Sequence, residues 1–183
     1  MNVIWLSAPA DREPMHYRIF PGPWGEMLAI WHGETLCRLG FIDSARQGDQ
    51  VLAESAAYWG AEAIGMTADD ARYQVLEKTV RSWPEKPTGH SPVLEVVGTD
   101  FQQRVWRLLL TSHAGQFWSY GDIASRIGSP RAARAVGQAL AANPIALLIP
   151  CHRVLPSGGG LGSYRWGAYR KEGLLAAEGV RTL

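Results

Sequence analysis

Ser119-Tyr120-Gly121-Asp122-Ile123-Ala124-Ser125-Arg126-Ile127-Gly128-Ser129-Pro130-Arg131-Ala132-Ala133-Arg134 holds two helix starts and one helix stop in a single short run. Ser119 to Asp122 opens a short helix carrying Ile123, Ala124 and Ile127 on one face, and Gly128 stops it. Ser129-Pro130 then predicts the cap of a second helix, Arg131 to Ala142, with proline in its first turn. Helix, glycine-containing turn and helix within about 25 residues is the helix-turn-helix pattern, which makes this half of the chain mostly helical.

The second helix has an unusual composition for one that reads bases. Ala132, Ala133, Ala135, Val136, Gly137, Ala139, Leu140, Ala141 and Ala142 leave Arg131, Arg134 and Gln138 to reach outward. Sequence reading in a major groove takes several long polar side chains. Small residues suit a close approach to a backbone or a narrow groove, with one arginine as a wedge. They also suit tight packing against a core, which composition alone favours.

Upstream, Thr99-Asp100-Phe101-Gln102 has capping-box spacing, and Phe101, Val105, Leu108 and Leu109 predict a helix from Asp100 to Leu110. Downstream, the apolar run Ile145 to Ile149 leads into Pro150-Cys151-His152-Arg153-Val154. A buried cysteine is most often a small hydrophobe. A cysteine beside a histidine also has a base at hand, and an imidazole or positive field raises the population of the reactive thiolate. Neighbours in an extended segment point to opposite faces, so the pair meets only across a turn or through a water.

Towards the N-terminus, the prolines and glycine of Trp83 to Pro92 exclude regular structure and predict a linker at 84–92. It separates a domain at 1–92 from one at 93–183. Tyr17 to Phe20, Met27 to His32 and Thr35 to Phe41 predict three strands of an antiparallel meander, with turns at Pro21 to Gly25 and at His32-Gly33-Glu34. Helices follow at Gln50 to Ala63 and Thr67 to Trp83, the second started by Thr67, Asp69 and Asp70. This is an α/β domain, a small antiparallel sheet covered by helices, with no catalytic constellation, and its expected role is a scaffold.

The 183 residues, 46% of them hydrophobic, suffice for a real core. No 18-residue apolar window and no signal-peptide pattern occurs, which predicts a soluble cytoplasmic protein. Cys37 and Cys151 offer neither a disulfide framework nor a cysteine-rich zinc site, and the five histidines are scattered, so no metal or cofactor is expected. Residues 1–96 carry 8 Lys and Arg against 13 Asp and Glu, whereas residues 97–183 carry 10 against 4. The basic half fits a polyanion such as nucleic acid, and it fits an acidic partner domain as well.

Taken together, Gly98 to Trp106, Ser119 to Ala124, Ala133 to Gly137, Asn143-Pro144, Pro150 to Val154, Gly162 to Gly167 and Lys171 to Glu178 resemble one family, the O6-alkylguanine-DNA alkyltransferases. The likeness is close over residues 97–179 and loose over residues 1–96. It implies a ribonuclease H-like N-terminal domain and a winged-helix-like C-terminal domain containing the helix-turn-helix. It further implies repair of O6-alkylguanine, and of O4-alkylthymine, by irreversible transfer of the alkyl group to the protein. The partner is double-stranded DNA, bound without sequence preference through the minor groove, and the protein is a monomer.

By the same resemblance Cys151 is the alkyl acceptor, and His152 is the base that takes its proton through a water. Glu178 orients His152, and Asn143 braces the segment. Tyr120 helps flip the nucleotide and donates a proton to guanine N3. Arg134 fills the hole left in the base stack, while Ala135, Gly137, Arg131 and Gln138 line the DNA-facing helix. Tyr164, Arg165, Trp166, Val154 and Leu140 form the base pocket, with bulky Trp166 favouring methyl over larger groups. The zinc-binding set and the four-cysteine sensor of some relatives are absent from this sequence. The rival readings are a lesion-binding module without transfer, against which Cys151 stands, a Cys-His hydrolase, which lacks an oxyanion motif, and a helix-turn-helix regulator, which lacks base-reading side chains.

Overall fold

The computed structural model describes residues 1–9, 13–85 and 90–180. The chain divides into two compact units, Met1–Gly98 and Thr99–Leu183.

The first unit is built on β1 (Val3–Leu6), β2 (Met15–Gly22), β3 (Gly25–His32), β4 (Thr35–Phe41), α1 (Ala45–Trp59), β5 (Ala63–Gly65), α2 (Ala71–Ser82) and β6 (Leu94–Val97). The meander β2-β3-β4 is antiparallel, and its two tight turns place Gly25 and Gly33 at positive φ, where a side chain would be strained. The sheet as a whole is larger than the expected antiparallel one. Its order is β1-β6-β4-β3-β2-β5, and β1 on β6, β6 on β4 and β5 on β2 all pair in parallel. Val3 pairs with Leu94, and such distant parallel partners leave no hairpin signature in the sequence.

Because β6 completes this sheet, the boundary falls after Gly98 rather than at 92/93. Residues 86–89 of the expected linker lie outside the described residues. The helix starts also move. Ser44 caps α1 by accepting from the Gln47 N–H, ahead of the expected Gln50, and Gly60 at φ 65 ends it. Asp70, not Thr67, caps α2, accepting from the Arg72 N–H at 2.9 Å. Met15, Leu28, Ile30, Cys37, Ile42 and Trp59 form a buried core cluster. Cys37 donates to the Ile30 carbonyl, and burial pushes its thiol up to about 12, so it is unreactive packing.

The second unit comprises α3 (Asp100–Leu109), β7 (Trp118–Ser119), α4 (Tyr120–Arg126), α5 (Ala133–Ala141), a 3-10 turn at Cys151–Arg153, β8 (Val154–Leu155) and α6 (Ala168–Ala177). The expected capping box of Thr99 with Gln102 forms, and the expected helix start at Ser119 is a second one, Ser119 with Asp122. β7 and β8 pair in parallel, Trp118 on Val154 and Ser119 on Leu155, which fixes the start of α4 beside the end of the cysteine segment.

Ser129 and Pro130 do not cap α5. Gly128 at φ 73 ends α4, and the Ser129 N–H returns to the Ala124 carbonyl at 2.8 Å, so Ser129 closes the first helix. The Ala132 N–H then bonds the Ser129 carbonyl, and α5 begins at Ala133 with no side-chain cap. α5 packs on α3 and α4 through Val136, Ala139 and Leu140, and Trp106 Nε1 donates to the Ala139 carbonyl at 2.9 Å. Its small residues therefore serve packing on one face. Arg134 and Gln138 stand exposed on the other, and Arg131 is exposed in the turn before the helix. No helix among the described residues is long and apolar enough to cross a membrane.

Candidate active site

Beyond α5 the chain folds into a knot of short turns around Asn143, which is fully buried. Its Oδ1 accepts from the Ile145 N–H at 3.0 Å, and its Nδ2 donates to the Ile149 carbonyl at 2.9 Å and to Cys151 Sγ at 3.0 Å. Leu147 sits at φ 64, a left-handed conformation that costs a leucine about 1 kcal/mol. The loop keeps it because Ile145, Ala146, Leu147 and Ile149 are all buried. Cys151 and His152 then lie on a 3-10 turn rather than an extended strand, which removes the expectation that they face opposite ways.

His152 is fully buried, and its Nε2 lies 3.0 Å from Glu178 Oε1. Glu178 follows the end of α6 and is gripped from two further directions. Arg153 donates Nε to both carboxylate oxygens at 3.0 Å and Nη2 to Oε1 at 2.7 Å. The Gly115 N–H donates to Oε2 at 3.1 Å. Gly115 has φ 79, and a Cβ there would stand 3.2 Å from the Glu178 carbonyl, so the residue is glycine on two counts. The free arm of the Arg153 fork, Nη1, donates to the carbonyl and hydroxyl of Ser112 at 2.9 and 2.8 Å.

These contacts set the protonation states. Burial alone would raise Glu178, but hydrogen bonds from His152 and Arg153 outweigh it and hold the carboxyl at about 2. Burial lowers His152, against the pull of Glu178, so the imidazole rests neutral. Burial pushes the Cys151 thiol up to about 11, although the Asn143 hydrogen bond and the charge of Lys171 pull it back in part. The expected rise in resting thiolate is therefore overturned: desolvation wins, and the thiol must lose its proton during the reaction.

Lys171 is 1% exposed, donates Nζ to the Val154 carbonyl at 2.6 Å, and is brought down to about 8 by burial. It lies one turn into α6 and seven positions before Glu178, on the same helix face. That spacing was visible in the sequence, but no role was attached to it. Ser112, Gly115 and the Arg153 fork were also missed; only the left-handed glycine could have hinted at them.

Two tyrosines lie within electrostatic reach of the thiol. Tyr120 and Tyr164 are both raised by burial first and by the Cys151 charge second. The Tyr120 ring lies on α5, 3.7 Å from where a Cβ on Gly137 would stand. The Tyr164 hydroxyl is buried with no hydrogen-bond partner in the structure, and its ring meets Trp166 edge-on at 5.4 Å. The Arg165 guanidinium lies 5.7 Å from the Trp166 ring centroid and donates to the Ala141 carbonyl at 3.3 Å. Val154 and Leu140 are buried, and Ala135 is half-buried. Among the described residues no group of three His, Cys, Asp or Glu side chains is placed to hold a metal ion.

Residues 100–180 match the family model described as the 6-O-methylguanine DNA methyltransferase, DNA binding domain. The methylated-DNA–protein-cysteine methyltransferase of Mycobacterium tuberculosis (strain H37Rv) is 38% identical over 91% of this chain and 94% of its own length. The chain belongs to the methylated-DNA–protein-cysteine methyltransferase family. A crystal structure of M. tuberculosis OGT in complex with DNA superposes with a TM-score of 0.73 at 35% identity, covering 89% of this chain and 92% of that one. The bifunctional transcriptional activator/DNA repair enzyme Ada of Escherichia coli K12 is 36% identical over 84% of this chain and 47% of its own length. The methyltransferase family thus takes in both units of the chain, including the sheet, where the sequence likeness was loose.

Proposed function

We propose that this protein repairs alkylated DNA by accepting the alkyl group on Cys151, once per molecule. The observation that carries the reading is the buried Cys151 thiol, held by Asn143 in the same turn as the His152–Glu178 pair. Sγ attacks the alkyl carbon of O6-alkylguanine, the S–C bond forms as the C–O6 bond breaks, and the bonding pair stays on O6. The thiol proton passes through a water to His152, whose Nε2 is committed to Glu178. Tyr120 gives a proton to guanine N3 and regains one from the imidazolium, so guanine gains the proton that the thiol lost. The thioether product is inert, and Cys151 is consumed.

The base reaches this site by leaving the stack, at a cost of a few kcal/mol. The helix-turn-helix of α4 and α5 lies in the minor groove as a monomer and, as its small residues allow, approaches the backbone closely. Arg134 enters the vacated stack, and Arg131, Gln138, Ala135 and Gly137 face the backbone. The pocket is walled by Tyr164, Arg165, Trp166, Val154 and Leu140, and Trp166 narrows it towards methyl. O4-alkylthymine is a further substrate. The protein works in the cytoplasm on chromosomal DNA.

The test is mass spectrometry after incubation with duplex DNA containing O6-methylguanine. One added methylene on the Cys151 peptide, absent in Cys151→Ala, supports the reading. Demethylation without a modified protein would refute it.

A further inference from the structure

Arg153 sits in the same turn as Cys151 and His152, yet nothing in the transfer itself uses it. Its guanidinium makes three hydrogen bonds to the Glu178 carboxylate and two to Ser112, and it is only 7% exposed. A fork so engaged is fixed in position. The question is what a buried full charge does there, since breaking such a pair is costly and keeping it brings little net stability.

Charge counting supplies the answer. A buried imidazole facing a lone carboxylate forms a site of net charge −1, which recruits a proton from solvent. That proton would settle between His152 and Glu178, and the base would be occupied before substrate arrived. With Arg153 bound to the same carboxylate, the group of His152, Glu178 and Arg153 is neutral with the imidazole unprotonated. We propose that Arg153, anchored by Ser112, is a positioning residue that keeps this trio neutral and so keeps the His152 imidazole unprotonated and able to accept the Cys151 proton.

The other groups that face His152 fit this assignment. Lys171 acts on it from α6, Glu178 from just past the end of that helix and Arg153 from its own turn, where Cys151 is the adjacent residue. Glu178 favours the imidazolium, whereas Arg153 and Lys171 oppose it. Lys171 is committed to the Val154 carbonyl and has no contact with the carboxylate in the structure, so the direct counter-charge on Glu178 is Arg153. Lysine at position 153 would keep the charge without the fork.

The inference rests on the proposed alkyl transfer for its meaning, but its test does not depend on it. The His152 ring is titrated by NMR in the full-length protein, and the single-turnover rate on O6-methylguanine duplex is measured from pH 5 to 9. In Arg153→Met, His152 should titrate at least about one pH unit higher than in the wild type. The acid limb of the rate should move with it, and activity should recover towards high pH. Arg153→Lys should lower the rate at all pH values while leaving the titration near the wild-type position. The double variant Arg153→Met/Glu178→Gln removes both charges, so its His152 should titrate no higher than in the wild type.

An unshifted His152 in Arg153→Met overturns the inference, as does a rate that falls equally at every pH. If Arg153→Met does not fold, the double variant carries the test, and a raised His152 titration there overturns it. A wild-type protein that takes no methyl group refutes the proposed function and leaves the titration results to decide this point separately.

Discussion

Asn143 donates through Nδ2 to Cys151 Sγ at 3.0 Å, and the same nitrogen bonds the Ile149 carbonyl at 2.9 Å. One side chain therefore ties the nucleophile to the apolar loop before it. Asn143→Ala would leave the buried Ile145 N–H without its acceptor and remove two further bonds, at a cost of roughly 3 kcal/mol. Calorimetry should show a clear fall in Tm. Asn143→Asp keeps the acceptor for Ile145 but sets a carboxylate against the sulfur, which disfavours the thiolate. Its alkyl transfer should fall by more than its stability does, and an unchanged transfer rate would sink this account of the contact.

Glu178 gives the protein an acid limit. Its folded carboxyl lies at about 2, below the ordinary 4.5, because His152 and Arg153 bond the charged form. A lowered carboxylate stabilises the fold fully above its unfolded value and loses that contribution as pH falls through the folded one. Stability should therefore drop by a few kcal/mol between about pH 4.5 and 2. Denaturant titrations across that window measure it. In Glu178→Gln this part of the slope should vanish, from a lower starting stability.

Local signals in the sequence were legible and distant ones were not. The capping box of Thr99 with Gln102 and the helix start at Ser119 formed as read, because every atom involved lies within one turn. β1, β5 and β6 escaped notice because each is short and pairs in parallel with a strand far along the chain. Ser129 looked like a cap but is spent closing α4, a competition that composition does not reveal. In the site, the fold brings Asn143 onto Cys151 and Glu178 onto His152, four residues named from the sequence. The Arg153 fork needs Ser112 and Glu178, 41 and 25 positions away, and only the folded chain brings them within reach.

Lys171 should trade stability for chemistry. Burial brings its amine down to about 8 from 10.5, so at neutral pH the folded state bears the strain of a desolvated charge. The sign is the reverse of that for a lysine gaining a partner: this penalty is full below the folded value and is relieved as pH rises above it. Lys171→Met fills the space with apolar atoms and should stabilise the protein by about 1–2 kcal/mol in urea unfolding. It also removes a positive charge that favours the Cys151 thiolate, so transfer should slow about tenfold or more. A destabilised variant with normal transfer would contradict both halves.

Arg134 stands exposed on α5 and is assigned to the vacated stack, not to the chemistry. Arg134→Ala should slow repair of O6-methylguanine in duplex DNA by about tenfold or more, equivalent to about 1.4 kcal/mol, because unstacking goes uncompensated. Reaction with the free base needs no flipping and should be nearly unchanged. Equal losses on both substrates would remove the flipping role from this residue.

Trp166 decides which alkyl groups fit. It is 9% exposed and packs edge-on against Tyr164, so the indole occupies space on the wall proposed for the base. O6-benzylguanine should therefore react more slowly than O6-methylguanine in the wild type. Trp166→Gly removes the indole and should raise the benzyl rate relative to the methyl rate by about tenfold or more, about 1.4 kcal/mol of discrimination. The comparison is made on the two free bases, so that DNA binding does not enter. Because Tyr164 loses its neighbour in the same change, a moderate fall in the methyl rate is expected as well. A wild type that takes benzyl as fast as methyl would show that the indole leaves the pocket open.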